Sequence, residues 1–198
     1  MFYITGLGNP GEKYKNTRHN TGALVVESFA KKNKFSLFNT DKKLKALVSF
    51  GKIEKEKIDL IIPQAFMNKS GVSLKSIITS KKKAENLVVI YDDLDLPIGK
   101  FKISFGRGSG GHKGVESVVR SIKTKDFIRI RVGIAPTTPS GKIKKINGEQ
   151  KTIDFILGDF KKKETEILKK VFKKVNEALE VIIKDGRAKA MNEFNQKP

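Results

Sequence analysis

The chain has no cysteine and no tryptophan, and only two histidines in 198 residues. Without cysteine there is no disulfide scaffold, thiol nucleophile, cysteine-ligated zinc finger or iron–sulfur cluster. No apolar run reaches the length of a membrane span. The first residues, Met1-Phe2-Tyr3-Ile4-Thr5-Gly6, lack a basic stretch followed by a long apolar one. No signal peptide is read there, and a cytoplasmic protein is the expectation. Acidic residues are also scarce: 21 Asp+Glu stand against 41 Lys+Arg, for a net charge of +20. Such a surplus suits a polyanionic partner, nucleic acid above all. The plain alternative is a lysine-rich solvated surface. Hydrophobic residues make up 38%, enough for the core of one domain of this length.

Apolar patterning alternates between strand and helix. Strands are expected at Met1–Leu7, Leu44–Phe50, Ile58–Ile62, Leu87–Tyr91, Phe101–Phe105 and Ile128–Ile134, with the polar stretch Gly51–Lys57 between the second and third. Helices are expected at Thr21–Lys32, at Ser70–Ile78 with Ser70 as N-cap, and at His112–Ile122. Pro136, Pro139, Gly141, Gly148 and several lysines make residues 135–151 a mobile basic loop. The clearest helix is the C-terminal one at 161–184, with Leu168, Val171, Val175, Leu179 and Ile182 in one stripe and Gly186 at its end. The order implies a single α/β domain over 1–198, its twisted mixed and mostly parallel sheet surrounded by helices, with no repeats and no linker.

Both histidines, His19 and His112, lie in polar, glycine-flanked surroundings rather than on an apolar face. Histidine is the side chain best suited to proton transfer near neutral pH. No Gly-x-Ser-x-Gly elbow or His-Glu-x-x-His pair is present, so a metal site is not expected. What remains is a histidine acting as base on water, which needs a carboxylate to fix its tautomer. Asp92 is the best placed, at a strand end where sites of α/β sheets gather. Asp93 and Asp95 compete with it, with a turn held by Asx hydrogen bonds or a divalent-cation site as their other readings. Gly6-Leu7-Gly8-Asn9-Pro10-Gly11 matches a dinucleotide fingerprint, but no helix begins within it. The loop Gly106–Gly111 lacks the Gly-Lys-Ser/Thr ending of a P-loop, so it reads as a flexible approach to a ligand.

Beyond these residues, a series of blocks resembles the bacterial peptidyl-tRNA hydrolases along nearly the whole chain. They are Gly6-Leu7-Gly8-Asn9-Pro10-Gly11, Tyr14, Thr17-Arg18-His19-Asn20 with Gly22, Pro63, and Phe66-Met67-Asn68-Lys69-Ser70-Gly71. Asp92-Asp93-Leu94-Asp95-Leu96-Pro97 with Gly99, Gly110-Gly111-His112 with Gly114, Arg129–Ile134 and Asp154–Gly158 follow in order. The resemblance implies hydrolysis of the ester between a peptide and tRNA, releasing both, by a monomeric enzyme without metal or organic cofactor, with tRNA as its partner and no membrane. It implies His19 as the base on water, Asp92 as the group that holds it, and Asn9 as the sensor of the ester. Asn68 would bond the peptide backbone or the water. Phe66 and Met67 would offer an apolar wall, and Tyr14 would contact the tRNA end. His112 and Lys113 would face the substrate, while Lys102 and Arg131 would take the 5′-phosphate. Two positions depart from the family: Lys113 replaces a usual asparagine, and Ser104 stands where a second basic residue is common. The competing class is a non-catalytic RNA-binding protein on the same scaffold. The joint presence of Asn9, His19, Asn68 and Asp92 favours the enzyme.

Overall fold

Short runs rich in Val, Ile, Leu and Phe become strands and the amphipathic runs become helices in a computed structural model that describes residues 1–195. Residues 196–198 of the domain expected over 1–198 lie outside the described residues. The order is β1 (Phe2–Gly6), α1 (Thr21–Lys32), β2 (Asn39–Asp41), β3 (Ala46–Ile53), β4 (Glu56–Pro63), α2 (Lys81–Glu85) and β5 (Leu87–Pro97). Then come β6 (Phe101–Phe105), α3 (Lys113–Ile122), β7 (Ile128–Ala135), α4 (Glu149–Leu157), α5 (Lys162–Asp185) and α6 (Arg187–Phe194). Tight 3₁₀ turns span Glu12–Tyr14, Arg18–Asn20 and Met67–Ser73.

The strands form one seven-stranded sheet in the order β2-β3-β4-β1-β5-β7-β6 among the described residues. Its centre, β4-β1-β5-β7, is parallel, and the pairs β2-β3, β3-β4 and β6-β7 are antiparallel. The expected single α/β domain with a mixed, centrally parallel sheet is therefore what forms. One face of the sheet packs Ile4, Leu60, Ile90 and Ile130 against Val25 and Phe29 of α1 and Val175, Leu179 and Ile182 of α5. The other packs Ile61, Val89 and Tyr91 against Met67, Leu74 and, from α3, Val115 and Val118. Each fully buried aliphatic or aromatic side chain of this kind contributes about 1.5–3 kcal/mol. None of the helices among the described residues is long and apolar enough to cross a membrane.

From β1 the chain runs through α1 to β2, β3 and then β4 on one side of β1, and from β4 to β5 on the other, so the strand order reverses at β1. Crevices of this kind, at the carboxyl ends of parallel strands, are where ligands bind in α/β sheets. Two glycines make the crevice tight. A Cβ on Gly6 would overlap the carbonyl of Gly22, and a Cβ on Gly22 would overlap the carbonyl of Ile90. The start of α1 is thereby pressed against β1 and β5.

Several boundaries differ from those expected. The stretch Ser70–Ile78 is not a helix with Ser70 at its cap. A 3₁₀ turn begins at Met67 after Phe66, and the Ser70 hydroxyl donates back to the Met67 carbonyl at 2.9 Å. β5 does not stop at Tyr91 but continues through the acidic residues to Pro97, with an irregularity against β7 between Asp93 and Pro97. Gly51–Lys57 is not a connector but mostly strand, because β3 and β4 pair down to Ile53 and Glu56. Elements bound the 135–151 loop at both ends, since Ala135 closes β7 and Glu149 opens α4. Within it Thr137 and Ile143 form an antiparallel bridge. The helix expected at 161–184 spans Lys162–Asp185, and Gly186 ends it with φ 90° before α6 resumes. The strand β2 and helices α2, α4 and α6 were not expected.

Candidate active site

Three segments meet at the crevice. The loop after β1 brings Asn9, whose backbone N–H donates to Asn20 Oδ1 at 2.9 Å while Asn20 Nδ2 donates to the Asn9 carbonyl at 2.9 Å. The Met67 N–H donates to Asn9 Oδ1 at 2.8 Å. With its oxygen so engaged, Asn9 retains its NH₂ group as a donor for a ligand. The 3₁₀ turn Arg18–Asn20 places His19 directly ahead of α1. β5 brings Asp92, which is 4% exposed.

His19 Nδ1 lies 3.0 Å from each Asp92 carboxylate oxygen. His112 Nε2 lies 3.1 Å from Asp92 Oδ1. The other nitrogen of His112 is the N-cap of α3, accepting from the Gly114 and Val115 N–H groups at 3.2 and 3.3 Å. An acceptor at Nδ1 requires the His112 proton at Nε2, so His112 donates to Asp92. Burial alone would raise the Asp92 carboxyl. The facing imidazoles of His19 and His112, by charge and hydrogen bonds, outweigh burial and hold it well below the usual carboxylate range. An ionised Asp92 accepts from His19 Nδ1, which leaves the lone pair of His19 on Nε2. The His112 ring sits between the other two, with centroids 5.0 Å from His19 and 4.9 Å from Tyr91. Burial pushes the Tyr91 hydroxyl up to about 12, so it stays neutral.

His19, Asp92 and His112 offer donor atoms within 4.8 Å of one another, close enough to suggest a metal. Their hydrogen bonds argue against that role. Both ring N–H groups point at the same carboxylate, and the remaining His112 nitrogen caps a helix. A cation would have to displace both protons, so the trio fits a proton-holding cluster better than a ligand set.

The cluster opens into a cleft of about 650 Å³. His19, Asp92, His112 and Lys113 form one part of its lining, and Ile143, Ile146, Ile153 and Ile156 another. The isoleucines were not among the expected site residues. Their only sequence signal is i, i+3 spacing inside a lysine-rich stretch. Of the competing acids, Asp93 accepts the Asp95 N–H at 2.7 Å, a turn of the expected Asx kind, and pairs with Arg131. Only Asp92 faces a histidine.

The remaining expected residues surround this centre. Met67 is buried and joined to Asn9, Phe66 is exposed, and Asn68 is exposed on the same turn. Tyr14 is half-buried, with Lys13 Nζ 4.7 Å from its ring centroid. Lys102 is exposed and stands in register opposite Arg131 across β6-β7. Arg131 does not present a bare guanidinium, because Asp93 holds it. His112 does not present its imidazole to the substrate either, since both nitrogens have protein partners. Three residues that the sequence placed in matching blocks but gave no role take one here: Asn20, which locks Asn9, and the buried arginines Arg18 and Arg129. Arg129 donates to the Gly108 carbonyl at 3.0 Å, also to that of Arg107, and so holds down the glycine-rich loop.

Comparison with known proteins gives a consistent result. The peptidyl-tRNA hydrolase family model matches residues 3–198. Peptidyl-tRNA hydrolase of Thermodesulfovibrio yellowstonii is 41% identical over 202 aligned residues, covering 99% of this chain and all of that protein. That of Carboxydothermus hydrogenoformans is 39% identical over 197 residues, covering 99% of both. The crystal structure of peptidyl-tRNA hydrolase from Acinetobacter baumannii superimposes with a TM-score of 0.86 at 28% identity, covering 98% of this chain and 94% of that one.

Proposed function

The chain belongs to the peptidyl-tRNA hydrolase family and hydrolyses the ester of peptidyl-tRNA, and we propose that it does so with a water activated by His19. The observation that carries this reading is the buried Asp92 carboxylate facing His19 Nδ1. It orients the ring and stabilises the imidazolium that forms when Nε2 takes a proton from water. The hydroxide attacks the ester carbonyl. His19 then returns the proton to the departing ribose oxygen, releasing peptide and tRNA. The Asn9 NH₂ group stabilises the negative oxygen of the tetrahedral intermediate. His112 is a positioning residue, whose donation to Asp92 keeps that carboxylate in the plane of His19.

Around this centre the substrate is divided by chemistry. The isoleucine-lined cleft takes the peptide, with Asn68 as a polar contact to its backbone or to the water. Phe66 and Met67 meet the terminal adenosine, and Tyr14 the tRNA end. Lys113 and Lys102 face phosphates, with the Arg131 guanidinium beside them tethered through Nε to Asp93, and charge there acts through counterion release and without sequence preference. On this reading the chain acts on its own, as a monomer in the cytoplasm. A single-turnover assay on N-acetylaminoacyl-tRNA, with His19→Ala beside wild type, tests the proposal. Turnover by the variant at near wild-type rate would exclude it.

A further inference from the structure

Arg18 is buried next to His19, and none of the steps above uses it. Its guanidinium reaches the junction of α4 and α5. Nη2 pairs with Glu164 Oε2 at 2.8 Å. Nη1 donates to the carbonyls of Phe155 at 3.2 Å and Gly158 at 3.1 Å. The same group lies 4.3 Å from the Phe155 ring centroid and 5.3 Å from that of Phe160. The backbone joins in, as the Arg18 N–H donates to the Gly158 carbonyl at 3.1 Å and Thr17 bridges to Asp159. Glu164 is fixed in turn by the Lys161 N–H at 2.7 Å.

A guanidinium taken out of water must be matched by charge and hydrogen bonds, and removing one partner strands the other. The pair is therefore stiff in a way that exposed pairs are not. The helix it grips is the opposite case. None of the described residues of α4 is buried, so α4 has little apolar anchorage of its own. Arg18 holds the carbonyl end of α4, and Ile153 and Ile156 of that helix line the cleft.

We infer that Arg18 is a positioning residue that ties the α4 wall to the His19 turn and so sets how the peptide part of the substrate is held. The inference rests on the reading of His19 as base and of the cleft as the peptide site. Glu164→Gln keeps the shape of the partner and removes its charge. Arg18→Lys keeps a charge toward Glu164 but loses the planar fork that serves both carbonyls.

The test compares wild type and both variants on N-acetylaminoacyl-tRNA and on a tRNA carrying a peptide of several residues. For the longer substrate kcat/KM is expected to fall about fivefold to tenfold through KM, against less than about twofold for the short one. The pH–rate profile stays in place, and amide exchange at residues 154–158 quickens in both variants without any substrate. Equal losses on the two substrates, a displaced pH profile or unchanged exchange would each overturn the coupling. Near wild-type turnover by His19→Ala would instead overturn the His19 reading, and the exchange experiment would still decide the role of Arg18.

Discussion

The two walls of the cleft are built on different physical terms. The inner wall is buried chemistry: Asp92 on β5, His19 ahead of α1 and His112 at the start of α3, each fixed by hydrogen bonds and backed by the sheet core. The outer wall is α4 and the segment before it, which present isoleucines without burying any residue of α4. Groups that move protons need geometry good to a fraction of an ångström, and burial in a packed core supplies it. A surface that accepts varied peptides gains nothing from such precision. Regions with little apolar burial also open at lower free-energy cost. The division of labour follows from which residues each wall takes out of water.

Substitutions can break or sharpen this contrast. His19→Ala should lower single-turnover hydrolysis by ~10²–10⁴-fold, the usual scale for a general base. Affinity for tRNA, measured by salt titration, should hold within about twofold, since the imidazole contributes little to holding phosphates. Asp92→Asn should cost about 10–10²-fold in kcat, because an amide cannot stabilise the imidazolium. Asp93→Asn, which disturbs an ion pair with Arg131 instead, should cost a few-fold at most and mainly in KM. If Asp93→Asn were the more damaging, the carboxylate assignment would be reversed.

The inner wall should also show in stability against pH. The folded-state pKa of Asp92 is depressed, so the unfolded chain takes up this proton at higher pH than the native one. Its stabilisation is complete above the ordinary carboxylate value of about 4 and is lost as pH falls toward the native value. Urea unfolding of wild type and Asp92→Asn should therefore converge below about pH 4 and separate above it. A separation that stays constant down to pH 3 would speak against it.

Smaller effects test the rim and the outer wall. Lys113→Asn should weaken tRNA binding a few-fold and reduce the slope of log K against log salt by about 1, if its ammonium meets a phosphate. Coincident salt curves would make Lys113 a bystander at the mouth of the cleft. Smallest in stability should be Ile153→Ala, on the outer wall, which should shift the unfolding free energy by no more than about 0.5 kcal/mol. Ile130→Ala, in the sheet core, should cost about 2–5 kcal/mol in the same urea titration. Similar costs at the two positions would erase the contrast.

Sequence patterning revealed Leu87–Tyr91 by its continuous apolar run, because a strand buried on both faces leaves a mark that local physics can read, and the edge strand Phe101–Phe105 by its alternation of apolar and polar residues. It hid β5 beyond Tyr91, since Asp92, Asp93 and Asp95 resemble a turn until β7 is there to pair with them. It hid α4 for another reason: the helix has only nine residues, half-buried at best, and follows directly on a stretch whose prolines and glycines read as loop. His19 and Asp92 were legible by residue type and position. The orientation of His112 was not, because a glycine-flanked histidine can face a substrate or a carboxylate, and only the α3 amides decide. The contact between Arg18 and Glu164 spans 146 residues and leaves no local trace.

The contact of Gly6 with Gly22, and of Gly22 with the Ile90 carbonyl, bears on how the reacting groups keep their spacing. Gly22 follows His19 by three positions, and Ile90 precedes Asp92 by two, so backbone abutment acts as a gauge block between the two. Interatomic repulsion rises far more steeply with distance than hydrogen-bond attraction decays. A spacing set by abutment is therefore nearly indifferent to ionic strength and expands little on heating. One added methyl at Gly22 would act as a shim, widening the gap between base and carboxylate without touching either.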